Sequence, residues 1–443
     1  MVGLGGSAVN LGVTVDRIDP RERPHPLRLP WQRPNALDEF VAFPRVGLPP
    51  DSLRTPLLDF EQADLVDREA HPFYKADGGV PGAEAEFFVA RRGGEVVGRI
   101  GAIVNHSHNR FESAQTGREV LTGFFGFYEA IPDQAVADAL LDAAAGWLRD
   151  QGMHEMVGPA SPSHNYYYGS RDTRDEEPPH TTSKILEVYN PAYYNEQYEA
   201  WGLSCVHRLF GYDVDLLDDR VARVSDRFDR TIHETISATG MRIRRLDLAD
   251  FDAEVATANE LINESLQQNW GFSPMTRAEL AYMGQQMKLL IDPDLVLFVE
   301  LEGEPVGISL ALPDYNQLFA AMGGRLGGWP NAFRFRNLPA LRSFWPDGHA
   351  WSDLKIDTAR VIALGVLPTV WRGKREIRRE LLRLGPALVY ETFTNVRRAG
   401  YRWMTASWIL ESNKPMQAPF QVAGIGPVRV WKLWGRPLRS DPT

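Results

Sequence analysis

Residues 360–413 constrain this chain most, because they read as strand, basic loop, helix, strand, an order that points to an α/β plan. Arg360 to Pro368 (RVIALGVLP) is a short apolar run, rich in branched residues and closed by proline. Such a run suits a buried strand, and periodicity alone leaves a buried helix open. Gly385-Pro386 opens a helix, with glycine at the cap and proline at the first helical position. Val389, Phe393 and Val396 recur at i, i+4 and i+7 and so share a core-facing stripe. Arg397 and Arg398 sit in the last turn, where the helix dipole favours cations, and Gly400 ends the helix. Tyr401 to Leu410 is the next strand, followed by Glu411, Ser412 and Asn413.

The intervening loop, residues 371–383, sets six cations (Arg372, Lys374, Arg375, Arg378, Arg379, Arg383) against Glu376 and Glu380, in a chain of net charge −10. A cationic loop leading to a helix N-terminus is a natural seat for a pyrophosphate. A solvated basic helix accounts for the same charges, and both readings stand. The overall negative balance argues against a nucleic-acid partner, which needs a basic face. A chain of 443 residues accommodates roughly two or three domains. Its one cysteine excludes an internal disulfide framework and any cysteine-based metal site, and Cys205, in an apolar strand-like run, is expected in the core. No apolar run of about 18 residues predicts a transmembrane helix. No basic-then-apolar leader opens the chain, so the expected location is cytoplasmic.

Residues 1–36, rich in Gly, Pro and Arg, are expected to form a partly disordered arm. Residues 38–67, with several prolines, are read as a strand and loops. Ala85 to Ala90 and Val96 to Asn105, turning at Gly93-Gly94, predict a β-hairpin. A strand follows at Leu121 to Tyr128. Val136 to Gly152 is an amphipathic helix with Ala139, Leu140, Ala143 and Trp147 on its stripe. Then come a strand at His154 to Gly158, a polar loop to Asn190, a helix over Pro191 to Gly202 and a strand over Leu209 to Leu216. After a charged helical linker the order repeats. A strand lies at Met241 to Leu246, helices around Glu254 to Gln268 and Arg277 to Leu290, and a hairpin over Leu295 to Leu312. The strand–loop–helix–strand above follows, and Val428 to Trp434 closes the unit. The predicted domains are residues 37–217 and 240–443, joined by a linker helix at 218–239.

This duplicated plan resembles the GNAT superfamily of acyl-CoA N-acyltransferases, and more closely a group of bacterial tandem GNAT-like proteins to which bacterial ceramide synthases are similar. The matching pieces are HPFY (71–74), GRIGAIVNHSHN (98–109), GFFGFYEAIPDQAVADALLDAA (123–144), GPASPSHN (158–165) and YNPAYYNEQYEAWGL (189–203) in the first half. In the second they are ALPDYNQ (311–317), LGVLP (364–368), WRG (371–373) and SWILESN (407–413). The resemblance implies an α/β (α+β) fold of two tandem GNAT-like domains, each a twisted mixed, mostly antiparallel sheet flanked by helices. It implies an acyl-CoA donor and no metal. Pantetheine would lie along Ala363, Leu364, Gly365 and Val366, with the pyrophosphate held at Arg372, Gly373, Lys374 and Gly385. The loop departs from the family's glycine-rich pattern, carrying an insertion of about ten residues over Lys374 to Leu384. The first half has no basic loop, since Phe127 to Gln134 holds Glu129 and no cation, and it is not expected to bind CoA.

In that frame Glu411 is the candidate general base and Asn413 the residue that touches pantetheine or orders the proton relay, although asparagine there also suits a helix N-cap. The family's thiolate-protonating tyrosine is absent from the closing strand, which holds Trp431 and Trp434. His106 and His108 alternate, and on a strand would face one side. With Asn105 and Asn109 they are read as lining a polar pocket. His164, Asn165 and Tyr168 are placed where the fold opens toward an acceptor, with Glu129 against the same pocket. The Trp- and Phe-rich segment 329–351 reads as a lipid-facing cap or an interdomain core. Three functions stand: N-acyl transfer from an acyl-CoA-like thioester to a small or lipid-like amine; a non-catalytic GNAT-like binding module; and transfer from an acyl-carrier protein or aminoacyl-tRNA, the last being the one nucleic-acid partner considered.

Overall fold

The computed structural model describes residues 12–25, 33–49, 54–55, 57–173, 182–224, 234, 236–237, 239–267, 269–288, 290–320, 356–367 and 384–438. The pyrophosphate-loop candidates Arg372, Gly373 and Lys374, the segment 329–351 and much of the linker lie outside these residues.

The first half opens with strand β1 (Thr14–Arg17) and helices α1 (Ala36–Val46) and α2 (Asp59–Val66). The hairpin β2 (Glu84–Arg92) and β3 (Glu95–Val104) follows, then α3 (His106–Thr116), β4 (Thr122–Ala130), α4 (Gln134–Asp150) and β5 (Glu155–Gly158). Short strands β6 (Ala160–Ser161), β7 (Tyr167–Tyr168) and β8 (Ser170–Arg171) precede α5 (Tyr193–Trp201) and β9 (Ser204–Asp215). The second half holds β10 (Met241–Arg245), α6 (Phe251–Leu266), α7 (Arg277–Met287), β11 (Val296–Leu301), β12 (Glu304–Pro313) and β13 (Thr358–Val366). It ends with α8 (Leu384–Arg398), β14 (Trp403–Leu410), α9 (Lys414–Val422) and β15 (Arg429–Pro437).

All strands but β6 and β7 join one thirteen-stranded sheet, in the order β1-β2-β3-β4-β5-β15-β9-β14-β13-β12-β11-β10, with β8 beside β15. Reading inward from either edge gives the same plan: an edge strand, an antiparallel hairpin, then a parallel pair, β4 with β5 and β13 with β14. At the centre the closing strands are exchanged. β9, the last strand of the first half, pairs with β14 of the second. β15, the last of the second, pairs with β5 of the first. The two halves are thereby one hydrogen-bonded body, and the fold is α+β with two halves built on one strand plan.

Several expectations are corrected. In place of the expected strand, the described part of residues 38–67 holds the helices α1 and α2, because Asn35 and Asp38 make a capping box that starts α1, and Pro44 falls late enough in that helix to be carried. Within the amino-terminal arm, β1 adds an edge strand to β2. The buried face of α4 is Val136, Ala137, Leu140, Leu141, Ala144, Ala145 and Leu148, rotated from the expected stripe. Cys205 is an exposed free thiol, not a core residue, because the first residues of β9 project to solvent. The stripe on α8 is as expected: Val389 and Val396 are buried and Phe393 packs against the same core.

Candidate active site

β13 and β14 run side by side from Thr358 and Trp403 to Val361 and Ala406, and their pairing ends there. β13 stays bonded to β12 as far as Val366. Its other edge, from Ile362 to Val366, therefore carries main-chain groups with no strand partner among the described residues. Register slips on both sides open the gap: Ile362 is the extra residue where β12 and β13 shift, and β14 shifts against β9 after Ala406. Bulges bend a strand away from its neighbour, and here they bend two strands apart.

A cavity of about 940 Å³ opens on this gap. Val361, Ile362, Ala363 and Leu364 of β13 and Ala406 to Leu410 of β14 form one wall. Val255, Ile262 and Leu266 of α6 and Met283 and Met287 of α7 form another, and the 164–168 loop and α2 of the first half complete it. Its surface is largely apolar, with a few polar groups, as in sites that bury most of a ligand.

The charged floor is Arg360, 2% exposed. Its Nε donates to Ser407 Oγ at 2.9 Å, Nη2 to the Ser407 carbonyl at 3.0 Å and Nη1 to the Ile185 carbonyl at 2.5 Å. Ser407 Oγ donates in turn to Glu187 at 2.5 Å. Arg429 Nε lies 3.4 Å from Glu187, and its Nη1 and Nη2 donate to Asp213 at 2.6 and 2.7 Å. Burial pushes the Glu187 carboxyl up, but Arg429 and Arg360 more than offset it, so it stays ionised. A buried cation thus stands at the fork of the two strands with its charge balanced from behind.

A second polar group lies on the α2 and α7 walls. Tyr167 donates to Glu61 at 2.6 Å and Tyr166 to Glu279 at 2.9 Å. Burial raises both carboxyls to about 7. Tyr282 donates to Asp64, and His71, buried, lies 3.8 Å from the same carboxylate while its Nδ1 accepts from the Phe73 amide at 3.2 Å. A third group is aromatic: His164, Tyr168, Trp270 and Trp408 stack edge to face. Burial lowers His164 to about 3.

Of the residues expected from sequence, Ala363, Leu364, His164, Asn165, Tyr168 and Asn413 meet at this cavity. Asn413, at the cavity wall, is also the N-cap of α9, accepting from the Met416 amide at 3.3 Å. Gly365 and Val366 continue β13 beyond the lining, and Ser265 packs against Gly365 so closely that a Cβ there would lie 2.2 Å from its hydroxyl. Gly385 lies in the first turn of α8, away from the cavity. Glu411 is half-exposed, 3.8 Å from Arg208, and outside the lining.

Four first-half residues are placed elsewhere. His106 and His108 lie on α3, not on a strand, because Asn105 caps a helix by accepting from the His108 amide at 3.1 Å. Asn105 is buried and donates to Ser273 at 2.9 Å, and His106 pairs with Glu84 at the surface at 2.9 Å. Glu129 faces Arg54 and Tyr194, at 3.1 and 2.6 Å, away from the cavity. Sequence reasoning missed Arg360, Glu187, Glu61, Asp64 and Trp270. The clue for Arg360 was its place at the head of an apolar strand, where a cation needs a partner. The HPFY piece pointed to the neighbourhood of His71. Nothing local marks Glu61 or Glu187, whose hydroxyl and arginine partners are distant in the chain.

Among the described residues no group of three or more His, Cys, Asp or Glu side chains is placed to hold a metal ion, and no helix is long and apolar enough to cross a membrane. No protein-family model matches the chain. A Caulobacter vibrioides (strain NA1000 / CB15N) protein named bacterial ceramide synthase is 29% identical over 392 residues, 88% of this chain and 91% of that protein. Protein YghO of Escherichia coli (strain K12) is 27% identical over 417 residues, 91% of this chain and 93% of that one. Among solved structures, a tandem GNAT protein from the clavulanic acid biosynthesis pathway aligns over 97% of this chain and 99% of its own, with TM-score 0.49 and 12% identity. A GCN5-related N-acetyltransferase from Sphaerobacter thermophilus aligns over 97% and 96%, with TM-score 0.43 and 13% identity. By sequence the chain is similar over most of its length to the proteins named bacterial ceramide synthase and YghO, and its strand order repeats one plan in its two halves.

Proposed function

We propose that the chain is an N-acyltransferase that moves an acyl group from an acyl-CoA-like thioester to a small or lipid-like amine. The observation that carries this is the free edge of β13 from Ile362 to Val366 opening on a 940 Å³ apolar cavity. Amides and carbonyls without a strand partner can bond a pantetheine arm as an added strand. The phosphates would then lie beyond the end of β13 at Val366, where the chain continues into the cationic stretch 371–383 of the sequence. The cavity has room for a long acyl or alkyl chain, which favours a lipid-like acceptor, and the name of the Caulobacter relative leans the same way.

In this reading the amine nitrogen attacks the thioester carbon, a cavity group takes its proton, and the sulfur leaves as a thiolate. The buried Arg360 guanidinium near the fork favours the negative charge that develops there. Calorimetry with CoA, acetyl-CoA and a long-chain acyl-CoA tests the donor site. Binding is expected, tighter for the long chain, and absence of heat with every donor removes the proposal. A second reading keeps the chemistry and changes the carrier: six cations among residues 371–383 suit the acidic surface of an acyl-carrier protein. A carrier-dependent rate that falls steeply with salt distinguishes it.

A further inference from the structure

Among the described residues four carboxylates line the cavity: Glu61, Asp64, Asp67 and Glu254. Asp67 and Glu254 are matched by arginines, Arg23 at 2.8 Å and Arg244 at 2.9 Å. Glu61 and Asp64 have no lysine or arginine at ion-pair distance among the described residues. Both lie on α2, three residues apart, and so project from one face of that helix. Glu61 accepts one hydrogen bond, from Tyr167 at 2.6 Å, and its other oxygen has no partner among the described residues. The residue is only partly covered and lines the cavity.

His71, 1% exposed and on the same wall, repeats the pattern. Its Nδ1 accepts from the Phe73 amide, so the neutral ring carries its proton on Nε2. That nitrogen stands 3.8 Å from Asp64, beyond hydrogen-bond distance, and no other described group bonds it. Unmatched polar groups at one end of an apolar cavity cost stability unless the polar head of a ligand meets them, and carboxylates without a counter-cation call for a positive one. This wall adjoins the fork. Tyr167 bonds Glu61 and lies within reach of the Arg360 charge, and the next residue, Tyr168, sets its ring 4.5 Å from that of Trp408 on β14.

We propose that Glu61, with Asp64 beside it, seats the acceptor as its ammonium ion and takes the proton that the nitrogen must lose before it attacks. This rests on the N-acyltransferase reading above. It makes the acceptor a molecule with a cationic head and an apolar tail, the tail lying along the α6 and α7 wall. Glu61 takes one proton from the ammonium, which frees the lone pair. The nitrogen forms the C–N bond with the thioester carbon as the C–S bond breaks. The sulfur leaves with that electron pair, and the nitrogen's second proton goes to it. The products are an amide, a thiol and a protonated Glu61, which loses its proton to water before the next turnover. Burial raises the Glu61 carboxyl to about 7, against the Tyr167 bond and with help from Asp64, and a carboxylate so placed is a competent base at neutral pH.

The titratable and charged groups around Glu61 are Tyr167 from β7 and Asp64 from its own helix. Behind them stand Tyr282 and Glu279 from α7, His71 from the turn after α2, and Arg360 from β13. Burial keeps Tyr167 well above the ordinary phenol range, Tyr282 up at about 12 and His71 below its usual range. Glu279, also at about 7, bonds Tyr166 and lies outside the lining. An alkylammonium keeps its charge below about pH 9, so the pH dependence of its binding below that point belongs to the protein. Octylammonium affinity for the full-length protein, by calorimetry, is expected to rise by up to about tenfold per pH unit below about pH 7 and to level above it. E61Q should lose the rise and bind at least about tenfold more weakly at about pH 8, whereas E279Q should keep the rise. Y167F removes a bond that favours the ionised carboxyl and should move the rise to higher pH. D64N removes a neighbouring negative charge and should move it to lower pH. Circular dichroism of each variant checks that the fold persists. No binding, a flat profile, a rise that continues to the amine's own pKa, or a rise retained in E61Q overturns the proposal.

With octylamine and a long-chain acyl-CoA, E61Q should turn over about a hundredfold more slowly or worse, since glutamine accepts a hydrogen bond but not a proton. Turnover equal to wild type in E61Q, or no turnover in wild type with both ligands bound, removes the proton-accepting role. Octylammonium binding with the expected profile but no binding of any thioester would defeat the transferase reading, and the proton transfer with it, while leaving an ammonium site at Glu61.

Discussion

The two halves build the same fork and treat it in opposite ways. In the first, β4 and β5 pair in parallel over Thr122–Phe124 and Glu155–Val157 and then part. In the second, β13 and β14 do so after Val361 and Ala406. The first fork is sealed. β6 crosses β4 so closely that a Cβ on Gly126 would lie 1.8 Å from the Ala160 carbonyl. Ser161 Oγ accepts from the Phe127 amide at 2.7 Å. At the strand's end the Tyr194 hydroxyl accepts from the Ala130 amide at 3.1 Å, and Tyr193 donates to the Ala130 carbonyl at 2.8 Å. Side chains thus satisfy main-chain groups whose counterparts on β13 have no strand partner among the described residues. Strand order alone does not locate a site in this fold; unspent main chain does. The sealed half still serves the open one, through the 164–168 loop and α2.

The largest test of this contrast concerns the floor of the open fork. Arg360 stands there in a network with Ser407, Ile185 and, through Ser407, Glu187, while the sealed fork has Phe124 at its mouth. R360M should cost about 3–5 kcal/mol of unfolding free energy in urea, because Glu187 and Asp213 would share one remaining arginine in a buried site. A loss below 1 kcal/mol would mean that the network is wetter and weaker than its geometry implies. Next in size is closure of the open fork. A363W places an indole in the gap where the donor is proposed to lie, and donor affinity should fall at least about a hundredfold, or ~2.8 kcal/mol. Unchanged affinity in a folded A363W variant would move the donor away from β13.

How much of this could be read in the sequence follows from the range of the interactions. Both hairpins, both helices that follow a fork strand, and the strand–loop–helix–strand of residues 360–413 announce themselves through local periodicity, turn glycines and capping. The exchange of β9 and β15 does not, because no local pattern says which neighbour a closing strand will choose. His106 misled because alternation over two residues cannot separate a strand from the first turn of a helix, and the deciding residue was the cap, Asn105. Cys205 misled because apolar neighbours on a strand end do not guarantee a covering layer. In the site, His164, Asn165, Tyr168 and Asn413 were accessible through the family resemblance. Arg360 and Glu187 were not, since their meaning lies in contacts spanning 175 and 220 residues.

A smaller effect separates the two walls that flank Tyr166 and Tyr167. These neighbours point opposite ways, Tyr167 to Glu61 of the first half and Tyr166 to Glu279 of the second. Glu279 is buried and raised to about 7, against an ordinary value of 4.5. Below about pH 4.5 the group is protonated whether folded or unfolded and exacts no penalty. As pH rises toward 7 the unfolded chain gives up the proton and the folded one keeps it, so stability falls over that window. E279Q should remove this slope and gain on the wild type as pH rises from about 4.5 to 7, read from urea midpoints. A parallel pair of curves would show that Glu279 is ionised throughout.

The smallest expected effect returns to the sealed fork. S161A deletes the acceptor for the Phe127 amide and should cost about 1–3 kcal/mol, the usual cost of leaving one buried donor unmatched. The substitution should not create a second donor site, because the Ala160 carbonyl still covers Gly126 and the two tyrosines still close the far end. The stoichiometry of acyl-CoA binding should therefore stay at one per chain in S161A. A stoichiometry of two would show that a single hydroxyl had been keeping the first half from binding, and that the difference between the halves is one of occupancy rather than of construction.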